Sequence, residues 1–290
     1  DGTEVSRVSF VTGLNSPHGT GLYGCCGFHM ASQNMVNAFK TDANGLPLLD
    51  TFNNSDIFNT IGSNGNASLP VGTTVDPRID HTVGIPGRPF KYKNTINEAG
   101  DMVYKFSWAR DPGVYGYFGN MKEQQSPDCS CYVKEGPFVG TSKNVDFIRY
   151  ADVLLFKAEA MIQMNQFGAA TSLINQVRLR AAASTSRSLT AGATNIYKIG
   201  VYPTFALKEY ALKALKFERR LEFGMEGPRF FDLVRWGEAA TVLNGYLAVE
   251  KTKRDFLANA KFTAGRDEYY PIPQREIDFT AGLYKQNPGY

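Results

Sequence analysis

Residues 216–239 read KFERRLEFGMEGPRFFDLVRWGEA and crowd charge among aromatic rings. Arg219, Arg220, Arg229 and Arg235 are interleaved with Glu218, Glu222, Glu226, Asp232 and Glu238. Glu218 and Glu222 are four apart, so they share one face of a helix, and Arg219 neighbours Glu222 at a spacing of three. Two carboxylates on one face could work as acid and base. The bracketing arginines lower carboxyl pKa values and suppress a general acid. Ion pairing at a surface or a helix junction is the better account. Asp76 and Asp80 are also four apart, but Pro77 points to a turn with local hydrogen bonds. Asp101, Asp111 and Glu123 follow no pattern that selects a pair. His18, His29 and His81 fall in no catalytic motif, and no Ser/His/Asp arrangement stands out.

The four cysteines occur as Cys25-Cys26 and Cys129-Ser130-Cys131. Neither pair has the spacing of zinc ligands, about two to four residues apart. Adjacent cysteines bond each other poorly, because the bridge wants Cα atoms about 5.5 Å apart. A bridge between the two pairs is sterically open, and free thiols are the expected state. His18 and His29 could join Cys25 or Cys26 in a mixed metal site, although ordinary loop histidines are commoner. No metal or other cofactor is expected.

The elements that must hold these residues differ between two halves. Residues 1–145 contain 18 of the 28 glycines, 9 of the 14 prolines and every cysteine. Asn64-Gly65-Asn66, Asp76-Pro77-Arg78 and Asp111-Pro112-Gly113 are turn chemistry. One helical stretch is expected near 32–41; the rest reads as short strands and long loops. In residues 146–290, Ile148, Ala151, Leu155, Ala158 and Ile162 form one apolar helix stripe. After the turn at Gln166–Gly168, Ala170, Leu173, Val177 and Ala181 form a second. That is a hairpin of tetratricopeptide size. A third stripe runs Tyr210, Ala214, Phe217, Leu221. Gly224 and Gly227 break it, and Pro228 suits the first turn of a fourth helix carrying Phe230, Phe231 and Val234. Trp236 is expected to pack between helices. The run 216–239 is therefore read as a junction of two helices with a Gly-Pro corner. Two hairpins cannot cover their own apolar faces, so the loop-rich half or further helices must do so.

Bulk properties exclude other classes. Of 290 residues, 43% are hydrophobic and 20% charged, which fits a globular fold. A net charge of +3 without a basic block gives no case for nucleic acid. No apolar run reaches the roughly 18 residues of a membrane span. A start at Asp1, without Met or signal peptide, reads as a processed or trimmed chain.

Three segments together resemble the SusD/RagB family of Bacteroidetes outer-membrane lipoproteins: IRYADVLLFKAEAMIQMNQFGAATSLINQVRLRA (148–181), ERRLEFGMEGPRFFDLVRWG (218–237) and YYPIPQREIDFTAGLYKQNPGY (269–290). ASQNMVNAF (31–39) and DPRIDHTVG (76–84) match more weakly. The resemblance covers the whole chain but only the C-terminal part of a full-length member. It implies a mainly α fold, with tetratricopeptide-like hairpins packed against a loop-rich region with short strands. Residues 1–145 would face ligand and 146–290 would be scaffold within one domain. It also implies no catalysis, but capture of a polysaccharide or oligosaccharide, starch-like or other, at the cell surface. The glycan would pass to a SusC-like TonB-dependent transporter. Membrane contact would be through a lipid anchor absent from this chain. The cysteine pairs match no pattern of the family. The motifs that carry the resemblance are scaffold. Tyr270-Pro271-Ile272-Pro273 reads as a rigid extended return across the helices. The alternatives are a protein- or peptide-binding scaffold that docks on the transporter without binding glycan, and a glycoside hydrolase with two carboxylates across a cleft.

Sugars offer apolar C–H faces and many hydroxyls, so their sites need exposed aromatic platforms edged with polar groups. The richest stretch is YKFSWARDPGVYGYFGN (104–120). Its candidates are Tyr104, Trp108, Tyr115, Tyr117 and Phe118, with Arg110, Asp111 and Asn120 alongside. Gly113, Gly116 and Gly119 are expected to bend the backbone and leave the rings uncovered. The competing reading is that these rings cap a small core of the loop half. HGTGLYGCCGFHM (18–30) adds Tyr23 and Phe28.

Overall fold

Small and apolar residues at three- and four-residue spacing build the helical scaffold. In the computed structural model, which describes residues 11–19, 26–93, 101–122, 124, 129–135, 138–184 and 196–290, the chain divides into two compact units, Asp1–Glu226 and Gly227–Tyr290. The fold is mainly α-helical.

The first unit begins with short pieces: α1 (Val11–Asn15), α2 (Gln33–Asn37), α3 (Ile79–Thr82) and α4 (Pro112–Tyr115). Ser32 starts α2 by accepting the Met35 N–H on its hydroxyl at 3.2 Å, a standard N-cap. Between and after these helices the described residues form five two-stranded antiparallel ladders. Their strands are β1 (Lys40–Thr41) with β4 (Thr74–Val75), and β2 (Thr60–Ile61) with β3 (Ala67–Ser68). Then come β5 (Val83–Gly84) with β8 (Gly119–Asn120), β6 (Pro89–Lys93) with β7 (Asp101–Val103), and β9 (Tyr132–Glu135) with β10 (Phe138–Thr141).

Three long helices follow: α5 (Tyr150–Gln163), α6 (Phe167–Ala182) and α7 (Lys208–Glu222). α5 and α6 form the expected hairpin and bury Leu155, Ala158, Ile162, Ala170, Val177 and Ala181. Two stripe positions differ. Ile148 precedes the helix and is 72% exposed, and Ile174 rather than Leu173 is fully buried in α6. In α7 it is Ala211, not Tyr210, that is buried.

α7 joins two cores. Ala211, Ala214 and Leu215 pack with α5, α6, Tyr202 and Phe205. Phe217 and Leu221, further along the same helix, pack with Val36, Phe39, Ile57, Phe58, Val75, Ile79 and Phe118 from the loop-rich residues. A smaller cluster of Phe90, Tyr104 and Met121 lies apart from these two, with Trp108 and Tyr132 packed on it.

The second unit contains α8 (Arg229–Arg235), α9 (Ala239–Glu250) and α10 (Gln274–Phe279). Its two proline-rich segments are tied by side-chain amides. Gln286 accepts the Ile272 N–H at 2.8 Å and donates to the Ile272 carbonyl at 2.9 Å, and Asn287 donates to the Tyr270 carbonyl. Prolines cannot donate to a backbone ladder, so the amides supply the missing pairs. Trp236 carries the Arg235 guanidinium over its ring at 4.7 Å.

Candidate functional site

The charged run at 216–239 is not a surface ion-pair cluster. Glu218 is 0% exposed, and Glu222 is buried too. Their partners come from far along the chain. The Arg78 guanidinium donates to Asp76, to Glu218 at 2.6 Å and to Glu222 at 3.1 Å. Arg178 donates to Glu218 at 2.7 Å and to the carbonyls of Gly45 and Gly200. Arg149 and Arg180 also reach Glu222. Arg219 lies over Phe156 and Phe223 and reaches Asp152 at 3.5 Å. Burial alone would raise the Glu222 carboxyl pKa, but Arg78, Arg180, Lys122 and Arg149 outweigh it and hold the pKa below the ordinary carboxylate value. Asp76 is likewise lowered, with burial opposed by Arg78 and Arg178. Groups held ionised in this way are poor proton donors.

The Asp76-Pro77-Arg78 turn has the expected local bonding, with Asp76 Oδ1 accepting the Arg78 N–H at 2.9 Å. Asp80 is held by Arg88 through two bonds of 2.6 and 2.7 Å and by the Tyr197 hydroxyl.

The two stretches singled out for ligand contact come together. The His18 N–H donates to the Trp108 carbonyl at 2.9 Å. The Arg110 guanidinium stacks over the Phe28 ring at 4.5 Å and donates to the Cys26 carbonyl. Asn120 Nδ2 lies 3.1 Å from His29 Nδ1. A cavity of about 10 Å³ is lined by both stretches, including His29, Trp108, Arg110 and Asn120. That is room for about one water, not for a sugar ring.

Individual candidates separate by exposure. Tyr104 is 1% exposed, so it is core and not platform. One cause is Gly119, a glycine expected to uncover the rings, together with Gly84. Gly84 and Gly119 face each other across β5 and β8, and a Cβ on either would stand 2.9 or 2.7 Å from the Tyr104 ring. Gly119 thus makes room to bury an aromatic. Asn120 is also buried; its Oδ1 accepts the Lys122 N–H, so its amide is spent inside the fold. Phe118 belongs to the main core. Trp108 is half-buried, edge-on to Phe90 and Tyr104 at 5.7 Å each, and also lines the cavity. Tyr117 is half-buried and its hydroxyl donates to the Phe58 carbonyl at 2.7 Å. Tyr115 is 45% exposed, Phe28 is 58% exposed, and Asp111 is exposed. Tyr23, Cys25 and Glu123 lie outside the described residues.

Phe106 was not singled out by its type or spacing, yet it is exposed and lies 5.5 Å from the Tyr117 ring.

The described cysteines are not free thiols. Cys129 and Cys131 are bonded to each other, with Cα atoms 5.0 Å apart, and Cys26 is also disulfide-bonded. One intervening residue suffices to bring two Cα atoms into bridging range. The bonded Cys26 sulfur offers no thiolate to a metal. No cluster of three metal-ligating side chains occurs among the described residues.

A SusD-like protein from Bacteroides fragilis superimposes over 90% of this chain and 47% of its own, with a TM-score of 0.55 at 17% identity. A SusD homologue from Bacteroides thetaiotaomicron superimposes over 80% of this chain and 46% of its own, with a TM-score of 0.51 at 21% identity. Over 100 residues the sequence is 36% identical to SusD-like protein P38 of Formosa agariphila, which is 34% of this chain and 18% of that protein. The SusD family model matches residues 2–290. The chain belongs to the SusD family, and it spans less than half the length of each of these three relatives.

Proposed function

We propose that this chain binds glycan without turning it over, on the face built by residues 26–30 and 104–117. The observation that carries the reading is the meeting of two distant loop stretches. They leave Phe28, Phe106 and Tyr115 exposed and Trp108 partly so, beside Arg110 and Asp111. Flat rings on an open face suit the C–H faces of a polysaccharide chain better than a closed pocket would. Against hydrolysis stands the pairing of Asp76, Asp80, Glu218 and Glu222 with arginines. In this reading the two regions, 1–145 and 146–290, divide into ligand face and scaffold. The full-length protein sits on the outer face of the outer membrane by a lipid anchor and delivers glycan to a SusC-like TonB-dependent transporter. No helix among the described residues is long and apolar enough to cross a membrane.

The test is calorimetric titration with soluble polysaccharides and oligosaccharides, repeated with Phe28→Ala, Trp108→Ala and Tyr115→Ala. Loss of one stacking platform is expected to weaken binding by roughly 1–3 kcal/mol, by analogy with bases stacked on aromatic side chains. Binding unaffected by all three would move the site elsewhere. Release of reducing sugar would replace binding with hydrolysis.

A further inference from the structure

Most described arginines of the first unit are matched with carboxylates. Arg78, Arg88, Arg149, Arg178, Arg180 and Arg219 each lie against at least one. Arg220 stacks on Phe52 and donates to Asn34. Arg110 differs from the first six. Its guanidinium is stacked on Phe28, one N–H donates to the Cys26 carbonyl at 3.3 Å, and no carboxylate among the described residues pairs with it.

A guanidinium is a planar fork of five N–H donors. Stacking occupies a face and leaves the edge, where two parallel N–H groups match a carboxylate or sulfate. A partly buried cation without a counter-charge is costly, and an incoming anion relieves the cost. The fork is also held in place. Ala109 before it is buried. Asp111 after it adopts a left-handed backbone, φ 42°, and its carbonyl accepts the N–H groups of Val114 and Tyr115. A non-glycine residue keeps such a conformation only where its surroundings fix it. Lys105 adds a second cation, 6.0 Å from the Trp108 ring centroid and likewise without a carboxylate partner among the described residues. Among the described residues, two cations without a carboxylate partner therefore lie against aromatic rings, Arg110 on Phe28 and Lys105 near Trp108.

We propose that the ligand of this face is an acidic glycan, bearing uronate carboxylates or sulfate esters, and that Arg110 selects it. The inference rests on the glycan-binding reading above. It is tested on the whole chain with two matched pairs of polymers at about 0.15 M salt, where long-range attraction is screened beyond roughly 8 Å. Polygalacturonate is compared with its methyl ester, and dextran sulfate with dextran. The expected result is binding about tenfold or more tighter to the charged member of at least one pair, as a charge-assisted bidentate contact gives. The pair that shows it identifies carboxylate or sulfate as the recognised group. Arg110→Gln is expected to abolish the preference and Arg110→Lys, which keeps charge but loses the fork, to leave only part of it. Lys105→Gln, at an exposed position, gives a second reading that does not depend on the Arg110 variants folding. Equal binding of charged and neutral members overturns the acidic-ligand inference and leaves glycan binding standing. A preference that survives Arg110→Gln and Arg110→Lys overturns the role of Arg110. Binding to neither these polymers nor the wider glycan panel overturns both readings.

Discussion

Glu218 offers the sharpest test of what holds the first unit together. Its side chain is 0% exposed and each carboxylate oxygen takes one guanidinium, Arg78 at 2.6 Å and Arg178 at 2.7 Å. Glu218→Gln keeps the shape and one acceptor. The amide NH₂ then points a donor at one guanidinium, and two buried arginines share less negative charge. Breaking a buried pair by changing one partner costs about 3–5 kcal/mol. That is a factor of roughly 10²–10⁴ in the folding constant. For a unit of this size it lowers Tm by roughly 6–20 °C, at about 2–4 °C per kcal/mol. Glu226 is the control. It pairs with Arg149 and Lys122 but is 23% exposed, and Glu226→Gln should cost about 1 kcal/mol or less. The chain has two tryptophans, Trp108 in the first unit and Trp236 in the second. In a Trp236→Phe background, urea unfolding followed by fluorescence therefore reports the first unit alone. A Glu218→Gln loss below about 1 kcal/mol, or no larger than that of Glu226→Gln, would refute the claim that this network anchors the fold.

Three further outcomes follow from the same structure. Gly119→Ala places a methyl against the Tyr104 ring and should destabilise by roughly 1–3 kcal/mol, read as a lower urea midpoint; an unchanged midpoint would show that the ring moves freely. Asp76 and Glu222 have folded pKa values below their unfolded ones, so their stabilisation is complete above the unfolded carboxyl range and fades as pH falls through the folded values. Midpoints measured from pH 7 to 3 should hold above about pH 5 and drop below about pH 4, and Glu222→Gln should flatten that drop. Cys129 and Cys131 close a loop of only three residues, so Cys129→Ala/Cys131→Ala should cost about 1.5 kcal/mol on the chain-entropy account, measured as Tm; a loss above about 4 kcal/mol would mean that the bridge does more than restrict the unfolded chain.

Helical spacing made the α5–α6 hairpin and much of α7 legible, because a stripe of apolar side chains every three or four residues has one stable outcome. The Asp76 turn was legible because its bonds are local. The Glu218 and Glu222 partners were not. Arg78 lies 140 residues before Glu218, and spacing rules see only neighbours on one helix. The aromatic stretch at 104–120 was found by composition, but composition does not say which rings turn inward. That depends on Gly84 opposite Gly119, a pairing between strands that are 35 residues apart. For the same reason Phe106, which lies outside, was passed over, and Tyr104, which lies inside, was put forward.

The arrangement around α7 also sets an order of assembly. The residues that close the first core, Phe217 and Leu221, and those that neutralise Arg78, Glu218 and Glu222, all lie on the last long helix of the first unit. A chain made from its N-terminus exposes Phe39, Ile57, Phe58 and Ile79 well before that helix exists. Such contacts, closing over more than a hundred residues, fold slowly because loop closure precedes any return from packing. Until residue 222 emerges, the loop-rich segment holds apolar side chains in water, and Arg78 has Asp76 but neither Glu218 nor Glu222. The growing chain is therefore most open to aggregation and to chaperone binding in the interval between synthesis of β5 and completion of α7.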